Sequence, residues 1–213
     1  MPACFGIGFG SGFDGQHFLV PDPGGLPPGA IAYADFKNGT YYYGGNALSD
    51  LFVENTDWAS FDPAGKVVPD VGYVGDGNAD GPTLASALAA EFLSAGYTFV
   101  ANVASIGDGA SFGSDFVALP DYDPDVSVVV NATGLPTVNS SVAGDPHSTP
   151  YRIAATLSPT RAALAINGGS AIEDTYTHTG FTHVVLSFNA SVVEDITFYP
   201  PKNNTELAAL SAG

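Results

Sequence analysis

Four short stretches carry residue types at spacings that known chemistries use. Gly109-Ala-Ser-Phe-Gly113 has the Gly-x-Ser-x-Gly spacing of a nucleophile elbow, with Ser111 at its centre. An elbow needs a strand before the serine and a helix after it, to lift the hydroxyl above a parallel sheet. The residues that follow, "SDFVALPDYDPD", are extended and broken by proline, so the stretch reads as a glycine-rich hairpin. Gly10-Ser-Gly-Phe-Asp-Gly15 matches Gly-x-Gly-x-x-Gly, yet neither a strand nor a helix flanks it and a dinucleotide has nothing to sit on. In "DGNADG", Asp76, Asn78 and Asp80 alternate their oxygens as the opening of a calcium loop does. The bidentate acid that closes such a loop is replaced by Ala87, so the expectation is a solvated turn, with calcium at Asp76, Asn78 and Asp80 as its alternative. His178 and His183 are five apart and would point to opposite faces of a continuous strand, which argues against a shared metal.

Aromatic rings are the remaining candidates for chemistry. Tyr41, Tyr42, Tyr43, Trp58, Tyr122 and Tyr151 could stack on sugars, although most such rings belong to a core. Sequence order brings together no Ser/His/Asp set and no close carboxylate pair, and no enzyme activity or cofactor is expected. The Asn-x-Ser/Thr triplets at Asn38, Asn131, Asn139, Asn189 and Asn203 read as turn asparagines beside strand-forming residues rather than as glycan acceptors.

The elements that must position these residues are mostly strands. "YADFKNGTYYYGG" is a strand pair turned at Asn38-Gly39. "TLASALAAEFLSAG" has helical spacing, with Thr83 as cap and Gly96 past its end, which predicts a short helix near 84–94. It runs into "YTFVANVAS", a β-branched and aromatic run expected at the centre of a sheet. Short strands follow in "DFVAL", "VSVVVNA", "YRIAATL", "RAALAIN", "AIEDTYT", "HVVLSFN" and "DITFYP", with turns at Ser158-Pro-Thr160 and Asn167-Gly-Gly169. In the last strand Ile196 and Phe198 face one way, Thr197 and Tyr199 the other. Pro200 and Pro201 cannot donate to a ladder and end it, and Thr205 can cap a closing helix over "ELAAL". The whole predicts an all-β chain: a two-sheet antiparallel sandwich with a short internal helix, a short C-terminal helix and an extended N-terminal arm.

Composition narrows the partners. The 213 residues carry five Lys and Arg against 22 Asp and Glu, a net charge of −17, so phosphate backbones are repelled and nucleic acid is not expected. No apolar run nears the roughly 18 residues of a membrane span, so membrane insertion is not expected, and "MPACFGIGFG" lacks the pattern of a secretory signal. Cys4, the one cysteine, can form no internal disulfide. Residues 1–32, crowded with glycine and proline, read as an arm or linker ordered only against a partner, and residues 33–213 as the folded domain.

The succession "RIAATLSPTRAALAINGG", "HVVLSFN" and "DITFYPPKNNTELAAL" resembles the C-terminal part of concanavalin A-like (laminin-G/pentraxin-type) jelly-roll domains of bacteriophage virion proteins. There too the final strand ends at a Tyr-Pro step followed by a short helix, and "ALAAEFLSAGYTFVANV" is similar to the entry into their first long central strand. The resemblance extends over about residues 33–213 and is one of pattern more than of unique motif. It implies a non-enzymatic virion structural protein, as a fibre, spike, tail or capsid decoration. Such a protein is made in the host cytoplasm, joined to other virion proteins by its arm, and assembled with its own copies as a ring or trimer. It also implies a lectin-like domain able to meet host glycan; the alternative function is a carbohydrate-binding module for host surface polysaccharide. The Glu-x-Asp-x-x-Glu strand of glucanases with this fold is missing, as is the acid and asparagine cluster by which legume-type lectins hold metals, so glycan hydrolysis ranks last.

Overall fold

A computed structural model describes residues 25–48, 52–53, 67–74, 83–84, 95–105, 111–114, 125–130, 137–141, 150–158, 160–175, 185–187 and 192–213. Among these, strands numbered along the chain form two sheets. The larger holds β1 (Ala32–Asp35), β2 (Thr40–Tyr43), β3 (Asn46–Leu48), β5 (Val67–Val68), β6 (Gly72–Val74), β8 (Tyr97–Ser105), β12 (Tyr151–Ser158), β13 (Arg161–Ile166), β14 (Ile172–Thr175) and β16 (Val192–Tyr199). The smaller holds β4 (Phe52–Val53), β7 (Thr83–Leu84), β9 (Ser111–Ser114), β10 (Asp125–Val130), β11 (Thr137–Ser141) and β15 (Val185–Ser187). β10 and β11 come against β13 and β14, so the sheets lie against one another as an all-β sandwich. The one helix with a described span is α1 (Asn204–Ala212).

The larger sheet runs β14-β13-β12-β8-β16-β1-β2-β3, with β6 beside the other end of β16 from β1. Strand alternation sorts its residues by face. Ala32, Phe198, Phe99, Ala155 and Leu164 lie side by side in register across five strands, as do Ala34, Ile196, Ala101, Ile153 and Ile166. With Phe36, Tyr73 and Tyr97 they make the main core, in which Phe36 tilts against Tyr73 at 5.6 Å and Tyr97 against Phe198 at 6.3 Å between ring centres.

Several expectations hold where the structure describes them. β8 is the central strand, the chain turns over Phe36–Gly39, and β16 stops at Tyr199 before the prolines. Gly96 has φ +83, and a Cβ there would lie 2.2 Å from the Leu157 carbonyl oxygen, so only glycine admits this approach to β12.

Others are corrected. Thr83 does not cap a helix: Thr83 and Leu84 form β7, where Thr83 pairs with Val185 and Val53. Of the expected helix near 84–94, residues 85–94 lie outside the described residues; Ala95 is helical. Ser111 opens β9, which runs parallel to β10, so the glycine-flanked stretch is neither an elbow nor a hairpin and the sandwich is not wholly antiparallel. β1 begins at Ala32, and Ile31 already donates its N–H to the Phe198 carbonyl, so the tail of the stretch read as an arm lies on the sheet. The closing helix is capped by Asn203, not Thr205: the Asn203 side chain accepts from the Glu206 N–H at 3.0 Å, and Glu206 accepts from the Asn203 N–H at 2.9 Å. That reciprocal pair satisfies two otherwise orphaned donors, which a cap at Thr205 would leave open.

Phe198→Ala should lower unfolding free energy by about 3–5 kcal/mol, the usual effect of deleting a buried aromatic ring. Urea denaturation checks it, and a loss below about 1 kcal/mol would mean that β16 does not fill the core.

Candidate functional site

The other face of the larger sheet carries the polar chemistry. α1 lies across β12 and β13 there, with Leu207 seated among Val100, Ala154, Ala163, Ala165 and Tyr199. Three of those five are alanines, which lets the helix axis come close to the sheet. Beneath the approach to the helix, the buried hydroxyls of Thr98 and Thr156 meet at 2.6 Å. Thr98 Oγ1 accepts from the Lys202 N–H at 2.9 Å, and Thr156 Oγ1 donates to the Lys202 carbonyl at 3.1 Å, so the peptide after the two prolines is held from both sides.

Each end of α1 is held by an arginine. At the C-terminal end Arg152 Nε donates to the Leu210 carbonyl at 2.6 Å and Nη1 to Asn102 Oδ1 at 2.8 Å. At the N-terminal end Arg161 Nη1 donates to the Lys202 carbonyl at 2.8 Å, Nη2 to Asn204 Oδ1, and Nε to Glu173 at 2.7 Å. These are the two arginines of the chain. Their forked donors suit the task, because one guanidinium can satisfy several acceptors held in a plane.

Beside Arg152 runs a polar row across four strands: Asp35, Asp195, Asn102 and Arg152 are successive register partners. Asn102 Nδ2 donates to both Asp195 oxygens, at 2.9 and 2.8 Å. Asp35 accepts from the Asn38 N–H at 2.9 Å and from Asn38 Nδ2 at 2.7 Å. Asp195 reaches this face through a bulge. Val193 pairs with Val103 and Asp195 with Asn102, leaving Glu194 as the extra residue, so Val193 and Ile196 both enter the core while Asp195 turns away. Gly72 of β6 has φ +128 and passes so near this bulge that a Cβ would lie 2.4 Å from the Val193 carbonyl oxygen. Burial pushes the Asp195 carboxyl up to about 6, against the pull of Asn102 and Arg152. Burial also raises the Tyr33 hydroxyl, with Asp195 and Asp35 adding to the effect.

Beside Arg161 the surface is concave. A shallow, open cleft of about 530 Å³ is lined by Arg161, Glu173, Asn203, Asn204 and Thr205. Its groups are fixed by one another: Arg161 binds Glu173 and Asn204, Asn203 caps the helix, and Lys202 Nζ reaches Glu206 at 3.0 Å. The hydrogen bonds from Arg161 and then Asn204 hold the Glu173 carboxyl below its ordinary range.

The structure places the sequence candidates unevenly. Asp76, Asn78 and Asp80, His178 and His183, Trp58 and Tyr122 lie outside the described residues. Tyr41 and Tyr43 pack against the main core and Tyr151 is buried in it, whereas Tyr42 is on the helix face, with its ring against the Gly25 backbone. The arginine clamps, the carboxylate pair and the cleft escape a reading of motifs. One signal for the clamps was present, since two arginines nine residues apart in a chain so poor in cations invite a question about what they hold.

No protein-family model and no curated protein matches the chain. Solved structures do. Trypanosoma rangeli sialidase in complex with 2,3-difluorosialic acid, a covalent intermediate, superposes with a TM-score of 0.50 at 13% identity, over 91% of this chain and 35% of that one. The CBM40 domain of the Ruminococcus gnavus IT-sialidase bound to α2,3-sialyllactose gives 0.43 at 15% identity, over 58% of this chain and 86% of that one. The likeness is one of fold. This chain spans about a third of the length of the trypanosomal enzyme, and what the two share is the β-sandwich.

The raised Asp195 carboxyl makes stability depend on pH in a defined direction. The unfolded carboxyl titrates near its ordinary value of about 3.9, so between there and about 6 the unfolded chain sheds its proton first and stability falls as pH rises. Asp195→Asn has no such loss. Denaturation of both proteins from about pH 4 to 7 should show the variant gaining on the parent by roughly 2–3 kcal/mol, since each pH unit between the two titration points is worth about 1.4 kcal/mol. A difference that is flat with pH would mean that Asp195 is well solvated.

Proposed function

We propose that this chain is a non-catalytic, glycan-binding β-sandwich, with its site in the cleft at the start of α1. The observation that carries the reading is the lining itself: two asparagines, a threonine and an Arg161–Glu173 pair around about 530 Å³ of concave surface. Sugar hydroxyls donate and accept together, and amides, hydroxyls and carboxylates are the groups that answer both. The lining is set on a strand pair and a capped helix, so little side-chain freedom remains to be lost when a ligand settles. The hollow is shallow and open to solvent, so a ligand would lie across it on polar contacts rather than be enclosed.

Binding without turnover fits the carboxylates. Glycoside hydrolysis uses a pair of them about 5–10 Å apart, commonly one acid and one base or nucleophile. Among the described residues the cleft is lined by one, Glu173, which Arg161 keeps ionised; Glu206 nearby is committed to the helix cap and Lys202, and Asp35 and Asp195 belong to the row at the far end of α1. The test is an NMR titration of the chain with an oligosaccharide panel. Shifts should centre on Asn203, Asn204 and Thr205, and Thr205→Val should weaken binding by roughly tenfold, about 1.4 kcal/mol. Shifts centred elsewhere would reject the cleft.

A second reading concerns where such a module works. The sequence from β12 through β13 and β15 to β16, the proline step and α1 is the stretch that resembles phage virion jelly rolls, and it supports display on a particle with self-association and attachment through the N-terminal arm. Density for the chain in an electron-microscopy map of intact particles is the expected outcome, and particles without it would reject the placement.

A further inference from the structure

We infer that the glycan is a neutral one, and that acidic sugars such as sialosides are excluded; this rests on the glycan reading above. A sugar carboxylate is best met by a guanidinium with two parallel N–H groups to offer, or by an ammonium without another partner. The chain has five basic side chains, and four of them, Lys37, Arg152, Arg161 and Lys202, are among the described residues. Each of the four is engaged within the fold. All three nitrogens of Arg161 donate, to Glu173, the Lys202 carbonyl and Asn204. Arg152 spans Asn102 and Leu210. Lys37 is paired with Glu194 at 2.9 Å and Lys202 with Glu206 at 3.0 Å.

A helix start beside the cleft would ordinarily favour an anion. Here the fold supplies its own: the Glu206 carboxylate takes the Asn203 N–H, and the Asn203 side chain takes the Glu206 N–H. Two carboxylates, Glu173 and Glu206, thus balance Arg161 and Lys202 around the cleft. Beyond it, the net charge of −17 repels an approaching anion before contact. A neutral sugar meets no such barrier, and it can still accept from the Asn203 amide and share a proton with Thr205.

The full chain is titrated calorimetrically with neutral gluco-, manno- and galacto-oligosaccharides, and in parallel with sialyllactose and oligouronides, at low and high salt. The expected result is that the tightest ligand is neutral, with affinity nearly independent of salt, and that the acidic sugars bind at least about tenfold more weakly. Tightest binding to an acidic sugar, weakened by salt, would overturn the inference while leaving the glycan reading intact. Binding to none of the sugars would overturn the glycan reading itself.

Discussion

The pairing of β16 with β8 is the constraint on which both faces of the larger sheet depend. From Asp195 to Tyr199 the register is continuous, and it sets Phe198 beside Phe99 and Ile196 beside Ala101 in the core. The same pairing sets Thr197 beside Val100 and Tyr199 beside Thr98 on the helix side. Because side chains alternate, a slip of one residue would exchange the two sets, placing polar groups in the aromatic core and bare rings beneath the helix. β16 is further tied to β1 and β6 on its other edge, so the strand is held along its length. Everything that follows it, the prolines, the cap and the cleft, inherits its position.

Charge is used sparingly. In most proteins arginines lie on the surface and are free to meet partners, but here both guanidiniums are turned inward to close the ends of a nine-residue helix whose one fully buried apolar residue is Leu207. A helix that short has little stability of its own. It stays because the peptide leading into it, at Lys202, is held by Thr98, Thr156 and Arg161, its cap is reciprocal, and its last turn meets Arg152 and the Gly168 N–H, which donates to Ser211 at 3.0 Å. The result is a rigid corner with amides and hydroxyls outward, which is the property that a hydrogen-bonding cleft needs.

Much of this architecture was legible from residue pattern. β8, β12, β13 and β16 announce themselves by branched and aromatic alternation, and Asn167, at φ +48, with Gly168, at φ +73, turns the chain where such residues do. The helix cap was legible too, in Asn203 followed three residues later by Glu206, yet Thr205 offered a competing cap two residues on. The cap reading failed at Thr83 because a cap is a local signal, whereas the strand partners in β4 and β15 lie far off in the chain. The candidate site was the least legible part. Asp35 and Asp195 are neighbours only through the fold, and the bulge at Glu194 breaks the alternation by which the face of Asp195 would be inferred.

The partnership of β1 with β16 has a consequence for biosynthesis. Ala32 leaves the ribosome some 160 residues before Phe198, its ladder partner. At about 5–20 residues per second, β1 and its hairpin must wait on the order of ten to thirty seconds with one hydrogen-bonding edge unclaimed. Through that interval the nascent chain offers an open edge to any extended peptide nearby, and its negative charge is what keeps neighbouring copies at a distance.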